Sequence, residues 1–492
     1  MLKKTPTLFC RLSLIAYACL MLCPVANAKD SLWYKTDDPL KTESALPPAI
    51  PDGYLESAAC NAINYNESLN LSQVVEAALC NNPQTQQAYA SARAQAAQLG
   101  IAKSAYLPTL DDKIGTNVNV NTPELAPRSN PYGNLTNSLV ASYLLYDFGN
   151  RDANLENARQ LLQAASATQS SIVQTILLNA VQAFYQVQAN IASLSAANES
   201  ERASEESFKA AQARYLAGVS TPADKLQAQT LFAQNTLSRI TAEGTLKTSY
   251  GTLANVMGLV ANKTLKLVPS VIVQPLDSID QDINAMIEQA RNRRPDLLAS
   301  EAQLKAAQAA IDASRAASKP TFTVSLSNSY SDGSRISNAD NSALGLSVSI
   351  PIFGGYAPTY RIRAAEANAD LRSAVRDQLR LQVSLDVWTA YQNLRTSNES
   401  IRAATVLVSS AEESSRVALG RYKAGVGNII DTLNAQSALA SARQQIIQAN
   451  LNLNIARSTL AQSIGNLDNA MIQSLPNSNT TGLNTSTQER QP

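Results

Sequence analysis

The chain has 492 residues, a formal charge of +1 and no histidine. Near-zero charge lacks the basic footprint of a nucleic-acid binder. The missing histidine removes the commonest general base and metal ligand. No carboxylate pair is placed for glycosidase-type chemistry, so no catalytic residue, metal or cofactor is expected.

At the N-terminus, Lys3, Lys4 and Arg11 flank an apolar run, LSLIAYACLMLC, and Ala26-Asn27-Ala28 has the small-x-small form of a cleavage site. Residues 1–28 therefore read as a signal peptide. An uncleaved anchor is the weaker alternative because the run is short. A lipidated Cys23 is disfavoured by bulky Leu22 before it. No later stretch is apolar enough to span a bilayer as a helix. The exported chain is then either soluble outside the cytoplasm or a membrane β-barrel.

Residues 29–70 read as an extended arm, with four prolines between Lys35 and Gly53. Cys60 and Cys80 are the cysteines that remain after cleavage. In an oxidising compartment an even pair is most simply a disulfide. Closing a loop of about 20 residues would stabilise by roughly 3 kcal/mol in the chain-entropy model. Two unpaired buried thiols are the alternative.

An internal duplication orders the remainder of the chain. RYLAGVSTPADKLQAQ (214–229) and RYKAGVGNIIDTLNAQ (421–436) agree at nine of sixteen positions. Asn82-Pro83 answers to Arg294-Pro295, Pro108-Thr109 to Pro320-Thr321, Asp147-Phe148-Gly149 to Ile352-Phe353-Gly354, and Gly258-Leu259 to Gly465-Asn466. A period near 200 residues is too long for a solenoid unit. The copies are residues 71–258 and 282–466, with a linker at 259–281. A tail at 467–492, rich in Asn, Thr and Ser from Leu475, is expected to be disordered.

Each copy begins with a helical segment, Ser72 to Ala105 and Asp282 to Ser318, which a proline ends. Two strands come next, within about 109–146 and 321–352. Phe322, Val324 and Leu326 share one face, with Thr323, Ser325 and Ser327 on the other. Leu344, Leu346, Val348, Ile350 and Ile352 alternate with small or polar residues, as do Ile114, Val118, Leu135, Leu139, Tyr143 and Leu145. Polar loops are expected at Asn121–Asn134 and Ser331–Asn341. Strands of this length with one apolar face fit a lipid-facing barrel and equally a half-buried soluble hairpin. The signal peptide favours the barrel.

After Gly149 and Gly354 come proline-poor helical runs, Arg151 to Ala217 and Thr359 to Ala424. At 1.5 Å per residue each spans roughly 100 Å. Their Ala, Gln, Ser and Leu content suits close, coiled-coil-type packing. A second helix follows each, Ala223 to Met257 and Ile429 to Ile464. Gly218 and Gly425 sit where a left-handed C-cap is needed. Thr221…Asp224 has capping-box spacing with Pro222 at the first helical position, and Asn428…Asp431 repeats that spacing. Helix capping is one role for both aspartates. The recurrence of Tyr215, Val219, Leu226 and Ala228 as Tyr422, Val426, Leu433 and Ala435 suggests a further task shared by the two tips.

The run ALCNNPQ (78–84), the strand starts at Pro108 and Pro320, YDFG, PIFGG and the paired RYxAGV tips resemble the TolC family of outer-membrane ducts, over about residues 60–467. The resemblance implies a mainly α protein with a transmembrane β-barrel. It implies a homotrimer sharing twelve strands, continued by a periplasmic helical tunnel in a Gram-negative outer membrane. It implies a passive conduit for efflux or type I secretion, partnered by a periplasmic adaptor and an inner-membrane pump or ABC transporter. It also implies a gate at the tips, with Asp431 in an acidic ring. Asp224 and Tyr422, with Tyr215 as Tyr422's repeat counterpart, would hold the closed state. The tip turns, Gly218-Val219 and Gly425-Val426, would dock the adaptor. Two departures stand out. A second acid position is Asn434, and an arginine position is Gly427. A soluble exported coiled-coil scaffold is the alternative reading.

Overall fold

The computed structural model describes residues 38–50, 60, 63–120, 131–269, 282–333 and 336–468. The signal peptide, Cys23, most of the tail and parts of the arm, linker and strand loops lie outside these residues.

Two strand–helix systems succeed one another. In the first, β1 (Ser68–Leu69) precedes helices α1 (Leu71–Asn81) and α2 (Pro83–Ser104), strands β2 (Thr109–Asn119) and β3 (Tyr132–Tyr146), and helices α3 (Asn150–Leu216) and α4 (Pro222–Val256). In the second, β4 (Lys266–Leu267) precedes α5 (Ile283–Arg293), α6 (Pro295–Ala316), β5 (Thr321–Gly333), β6 (Ile336–Ser349), α7 (Ala357–Lys423) and α8 (Ile429–Ser463). The long helices have 67 residues each and their return helices 35 each.

The opening helix of each copy is not continuous as expected. It breaks at Asn82 and Arg294, whose extended backbone precedes Pro83 and Pro295 at the first position of a new helix. Proline disfavours helical geometry in the residue before it. Each break is the docking point of the other end of its copy. Gly258, at φ +71°, lies against the Asn81 carbonyl, where a Cβ would come within 2.5 Å of the oxygen. Gly465 sits likewise on Arg293. Asn82 Nδ2 donates to the Val256 carbonyl at 3.2 Å. The landmarks that revealed the duplication are thus the joints that close each copy.

β2, β3, β5 and β6 form one antiparallel sheet in that order. The register puts Leu110, Ile114, Leu135, Leu139, Tyr143, Leu326, Leu344, Leu346 and Val348 on one face, all exposed. Asp332 and Asp340 close this band at the loop end, and Asp112 interrupts it between Leu110 and Ile114. Thr136, Ser138, Ser142, Thr323, Ser325, Ser327, Ser347 and Gly345 take the other face. The loop expected at Ser331–Asn341 is mostly paired strand, with Ser331 opposite Ala339 and Ser329 opposite Asn341. Cross-strand pairing overrides the turn preference of its Asn and Ser residues. β6 ends before Pro351, which lacks a backbone N–H.

The main apolar core lies around the middle of α3, where Val173, Leu177, Val181 and Phe184 meet Leu71 and Leu79 of α1 and Leu253 of α4. β1 and β4 pair in parallel beside it. Cys60 and Cys80 are disulfide-bonded, tying the arm to α1. Further along, the arm runs beside α2 and α3. Glu43 pairs with Arg93, Lys103 donates to the Leu40 carbonyl, and Gln169 donates to the Pro48 and Ala49 carbonyls. Among the described residues no helix is long and apolar enough to cross a membrane.

Gly258→Ala should lower the thermal midpoint, because alanine meets both the left-handed backbone and the Asn81 carbonyl. A loss on the order of 1–3 kcal/mol is expected from the backbone alone. An unchanged midpoint would mean that this joint does not hold the copy closed.

Candidate functional site

The duplicated phrase folds twice into a tight turn between antiparallel helices. In the first tip the chain leaves α3 through Gly218, at φ +75°. The Val219 amide donates to the Arg214 carbonyl at 3.0 Å and the Gly218 amide to the Tyr215 carbonyl. The second tip repeats this through Gly425, at φ +79°, with Val426 donating to Arg421. Paired bonds of this kind satisfy carbonyls that a helix end leaves open. Val219 and Val426 both project into solvent.

The helix starts then diverge. Thr221 and Asp224 form a reciprocal capping box: the Thr221 amide donates to Asp224 Oδ2 at 3.1 Å, and the Asp224 amide to Thr221 Oγ1 at 3.3 Å. The same box, expected at Asn428 and Asp431, does not form. Asn428 Oδ1 caps the helix by accepting from Ile430 at 3.1 Å. An asparagine cap reaching the second amide leaves the third-position acid without a role in the cap. Asp431 is exposed, with no hydrogen bond or ion pair among the described residues. It lines a groove of about 360 Å³ between α7 and α8, together with Glu413, Arg421, Gly427 and Asn428.

Gly427 has a steric reason. A Cβ there would lie 2.9 Å from the Tyr422 amide nitrogen and 3.0 Å from the Arg421 carbonyl carbon. The second turn folds back so closely that it admits no side chain, an arginine included.

The tyrosines are also unequal. Tyr422 is buried in a cluster with Ala211, Ala228, Ile429 and Leu433, which joins the two tips. The Arg214 guanidinium lies 4.9 Å from its ring centre, and Arg214 Nη1 donates to its carbonyl at 3.2 Å. Burial pushes the Tyr422 phenol above its ordinary pKa; Arg214 opposes the rise and Asp224 adds to it. Tyr215 is exposed, with Lys225 Nζ 5.5 Å from its ring centre. The structure therefore stacks Arg214 on Tyr422, holds Asp224 in its own capping box, and leaves Tyr215 and Asp431 exposed. Arg214 recurs as Arg421 in the duplicated phrase, but nothing in the sequence points to its stacking on Tyr422. Only the packing of one tip on the other makes it a stacking partner.

Above the tips, α3 and α8 are stitched together. Gln436 Nε2 donates to Ser207 Oγ at 2.9 Å, and Arg443 bridges Glu199 and Glu412.

Helical hairpins of this length, joined to a one-sided sheet and ending in paired tips, define an outer-membrane channel protein. The sequence profile of the outer membrane efflux protein family matches residues 74–259 and 286–466, and the chain belongs to that family. It is 29% identical to protein CyaE of Bordetella pertussis over 83% of this chain and 87% of that one. It is 23% identical to outer membrane protein TolC of Escherichia coli over 84% and 85%. The fold matches the CusC channel with a TM-score of 0.73 at 22% identity, covering 85% of this chain and 98% of that one. It also matches the Campylobacter jejuni CmeC channel, with a TM-score of 0.73 at 17% identity over 90% and 94%. The chain is thus an outer-membrane protein of a Gram-negative cell that reaches into the periplasm, in a family of non-enzymatic conduits. The soluble scaffold reading is not favoured.

The unequal caps predict unequal responses. Thr221→Ala or Asp224→Asn should speed amide exchange in the first turn of α4 about fivefold, for a cap worth about 1 kcal/mol. Asp431→Asn should leave the first turn of α8 unchanged. Equal fraying at both starts would contradict the asymmetry.

Proposed function

We propose that this chain is one third of a passive trimeric conduit. Three four-stranded sheets close into a twelve-stranded barrel in the outer membrane, and the helices continue it as a tunnel across the periplasm. The observation that carries this reading is the sheet: one apolar face, one polar face, and an open edge on each side. Lipid tolerates strands only in a closed barrel with its apolar face outward.

The six helical tips form a periplasmic gate of iris type. Asp431 faces the constriction and contributes one ring of three carboxylates, because Asn434 supplies no second acid. A carboxylate ring favours cations and repels anions. Asp224, Tyr422 and Arg214 hold the tips together in the closed state. A periplasmic adaptor docks on the turns at Gly218-Val219 and Gly425-Val426. An inner-membrane pump or ABC transporter supplies the energy. The name of the 25%-identical toluene efflux pump outer membrane protein of Pseudomonas putida supports an efflux role.

Asp431→Ala should change single-channel conductance in planar bilayers, weaken cation selectivity and reduce block by trivalent cations. Currents identical to the parent protein's would remove Asp431 from the constriction. Asp224→Ala should raise the open fraction instead, by fraying the start of α4, whose Ala228 packs in the Tyr422 cluster.

A further inference from the structure

Four helices stand side by side below the sheet. α2 packs on α3 through Ala96, Leu99 and Leu162. Asn157 of α3 donates to the Ala306 carbonyl of α6 at 2.7 Å, and Arg372 of α7 donates to Gln303 Oε1 of α6 at 3.2 Å. A cavity of about 870 Å³ touches all four, through Gln87 of α2, Thr168 of α3, Gln303 of α6 and Arg372 of α7. Only the concave side of a row of helices lets one cavity reach its first and last members. The N-terminal arm lies on the other side. On α2, Arg93 pairs with Glu43 of the arm, and Gly100 lies against Thr42. At about 100° per residue, these two positions point away from Gln87, Ser91 and Gln95, which line the cavity.

The lining continues towards the sheet. On α3, Asn150 and Asn154 line a second cavity of about 300 Å³, and Asn157, Leu161, Thr168 and Thr175 line the first. Their spacing keeps them on one stripe of the helix, and none is charged. α7 runs the same way. Arg361 lines the second cavity, and Asn368 and Arg372 line the first. Among the described residues, these two arginines are the only charged groups in the lining of either cavity. They lie roughly 16 Å apart along α7. Both are exposed, and neither has a carboxylate partner among the described residues. Other arginines of the same helices do reach acids, as Arg159 does Glu156, Arg315 does Glu366 and Arg380 does Glu301, but those line neither cavity. Below the strip, Arg294 is answered by Asp296 and Asp386, so the unpaired positive charge ends there.

We infer that Arg361 and Arg372 form an anion-attracting collar inside the upper tunnel, in series with the carboxylates of Asp431 at the tips. The inference rests on the trimer proposed above, in which the concave side of the helices is the lumen. Two arginines per chain then place six guanidinium groups on the tunnel wall. A guanidinium stays charged at any working pH. The amides and hydroxyls beside it are neutral, so no neighbouring acid cancels its field. The matching chemistry is a small anion such as chloride, or a carboxylate or phosphate group on a solute in transit. Guanidinium holds the latter two through paired N–H donors. A structural role does not account for these residues. Arg372 bonds one neutral amide and Arg361 makes no hydrogen bond or ion pair among the described residues, so neither ties the helices together by charge.

The test uses the full-length protein in planar bilayers under a potassium chloride gradient. Asp431→Asn removes the opposing charge at the tips, so the reversal potential then reports the rest of the tunnel. At about 10 mM salt the Debye length is roughly 30 Å, long enough for the wall to act on ions in the lumen. Adding Arg361→Gln and Arg372→Gln there should lower the chloride-to-potassium permeability ratio about threefold, since a charged ring favours its counter-ion. Arg361→Lys with Arg372→Lys should leave the ratio as it was. At about 1 M salt, with a Debye length near 3 Å, the difference should vanish. Channels that conduct with one reversal potential whether or not the arginines are neutralised would overturn the collar and leave the conduit standing. Protein that gives no channels in any form would overturn the conduit reading and the collar with it.

Discussion

A strand edge in hydrocarbon cannot be left open, since each unsatisfied N–H or C=O there costs several kcal/mol. The chain supplies four strands, two edges and one apolar face. On the proposed barrel reading the sheet is unfinished by itself and closes only with further copies. The long helices prolong the strands' direction from corners at Gly149 and Gly354. Their apolar packing is thin because each helix has neighbours on both flanks instead of a core beneath it. Alanine and serine at the buried positions, such as Ala158, Ala164, Ala180, Ser204, Ser207 and Ala211 of α3, let the helices approach closely. Most of the large buried side chains gather around the middle of the chain, where α1, α3 and α4 meet.

Duplication provides two of everything, and the two copies have since taken different roles at the places where they differ. Asp224 is committed to a capping box, whereas Asp431 is left exposed by an asparagine cap. Tyr422 is a buried joint, whereas Tyr215 faces solvent. The first corner is clamped by Asp147 and Arg151, whereas the second presents Ile352 and Phe353. In each pair one copy holds its own structure and the other offers a group outward. That division is what a repeated unit needs if it is to build both a wall and the contacts made by the wall.

Much of this was legible in the chain. The repeat fixed the number and order of the long elements, and the alternation in Leu344 to Val348 fixed which strand face is apolar. Glycine at the helix ends marked both tips. The features that sequence reasoning missed have a common cause. The helix-forming composition of the longer segments on either side masks the breaks at Asn82 and Arg294, although Pro83, Pro295 and the Asn81-Asn82 pair speak against continuity. Asp431 looked like a cap because its spacing copies that of Asp224. Whether Asn428 reaches the second or third amide is a matter of rotamer, which spacing does not encode. The role of Arg214 depends on Tyr422, 208 residues away.

The two hairpins are fastened to the middle of the molecule in partly different ways. The first is held by a continuous apolar cluster that includes Phe184, Leu177 and Met257, all but fully buried. Sliding such a surface exposes it to water, at about 25 cal/mol for each Å². The second is fastened at its break by Arg294, which reaches Asp386 of α7 at 2.7 Å and Asp296 at 2.6 Å. Burial works against the charge of Arg294, and the two carboxylates outweigh it, so its pKa is raised. Beside this group lies a cavity of about 500 Å³ lined by Gln174, Gln382, Thr389, Asn393 and Gln462. Amides and hydroxyls around a cavity can exchange partners with water at little net cost, because a typical hydrogen bond contributes only about 1 kcal/mol net. The α7/α8 hairpin has an apolar attachment as well, with Val383, Val387 and Leu453 buried against Met286 and Ala290 of α5. The Arg294 group adds charge pairing to that packing, which, among the described residues, the first hairpin's joint at Asn82 and Gly258 does not contain, so the two copies are fastened by the same kind of core and differ in the polar group at the break.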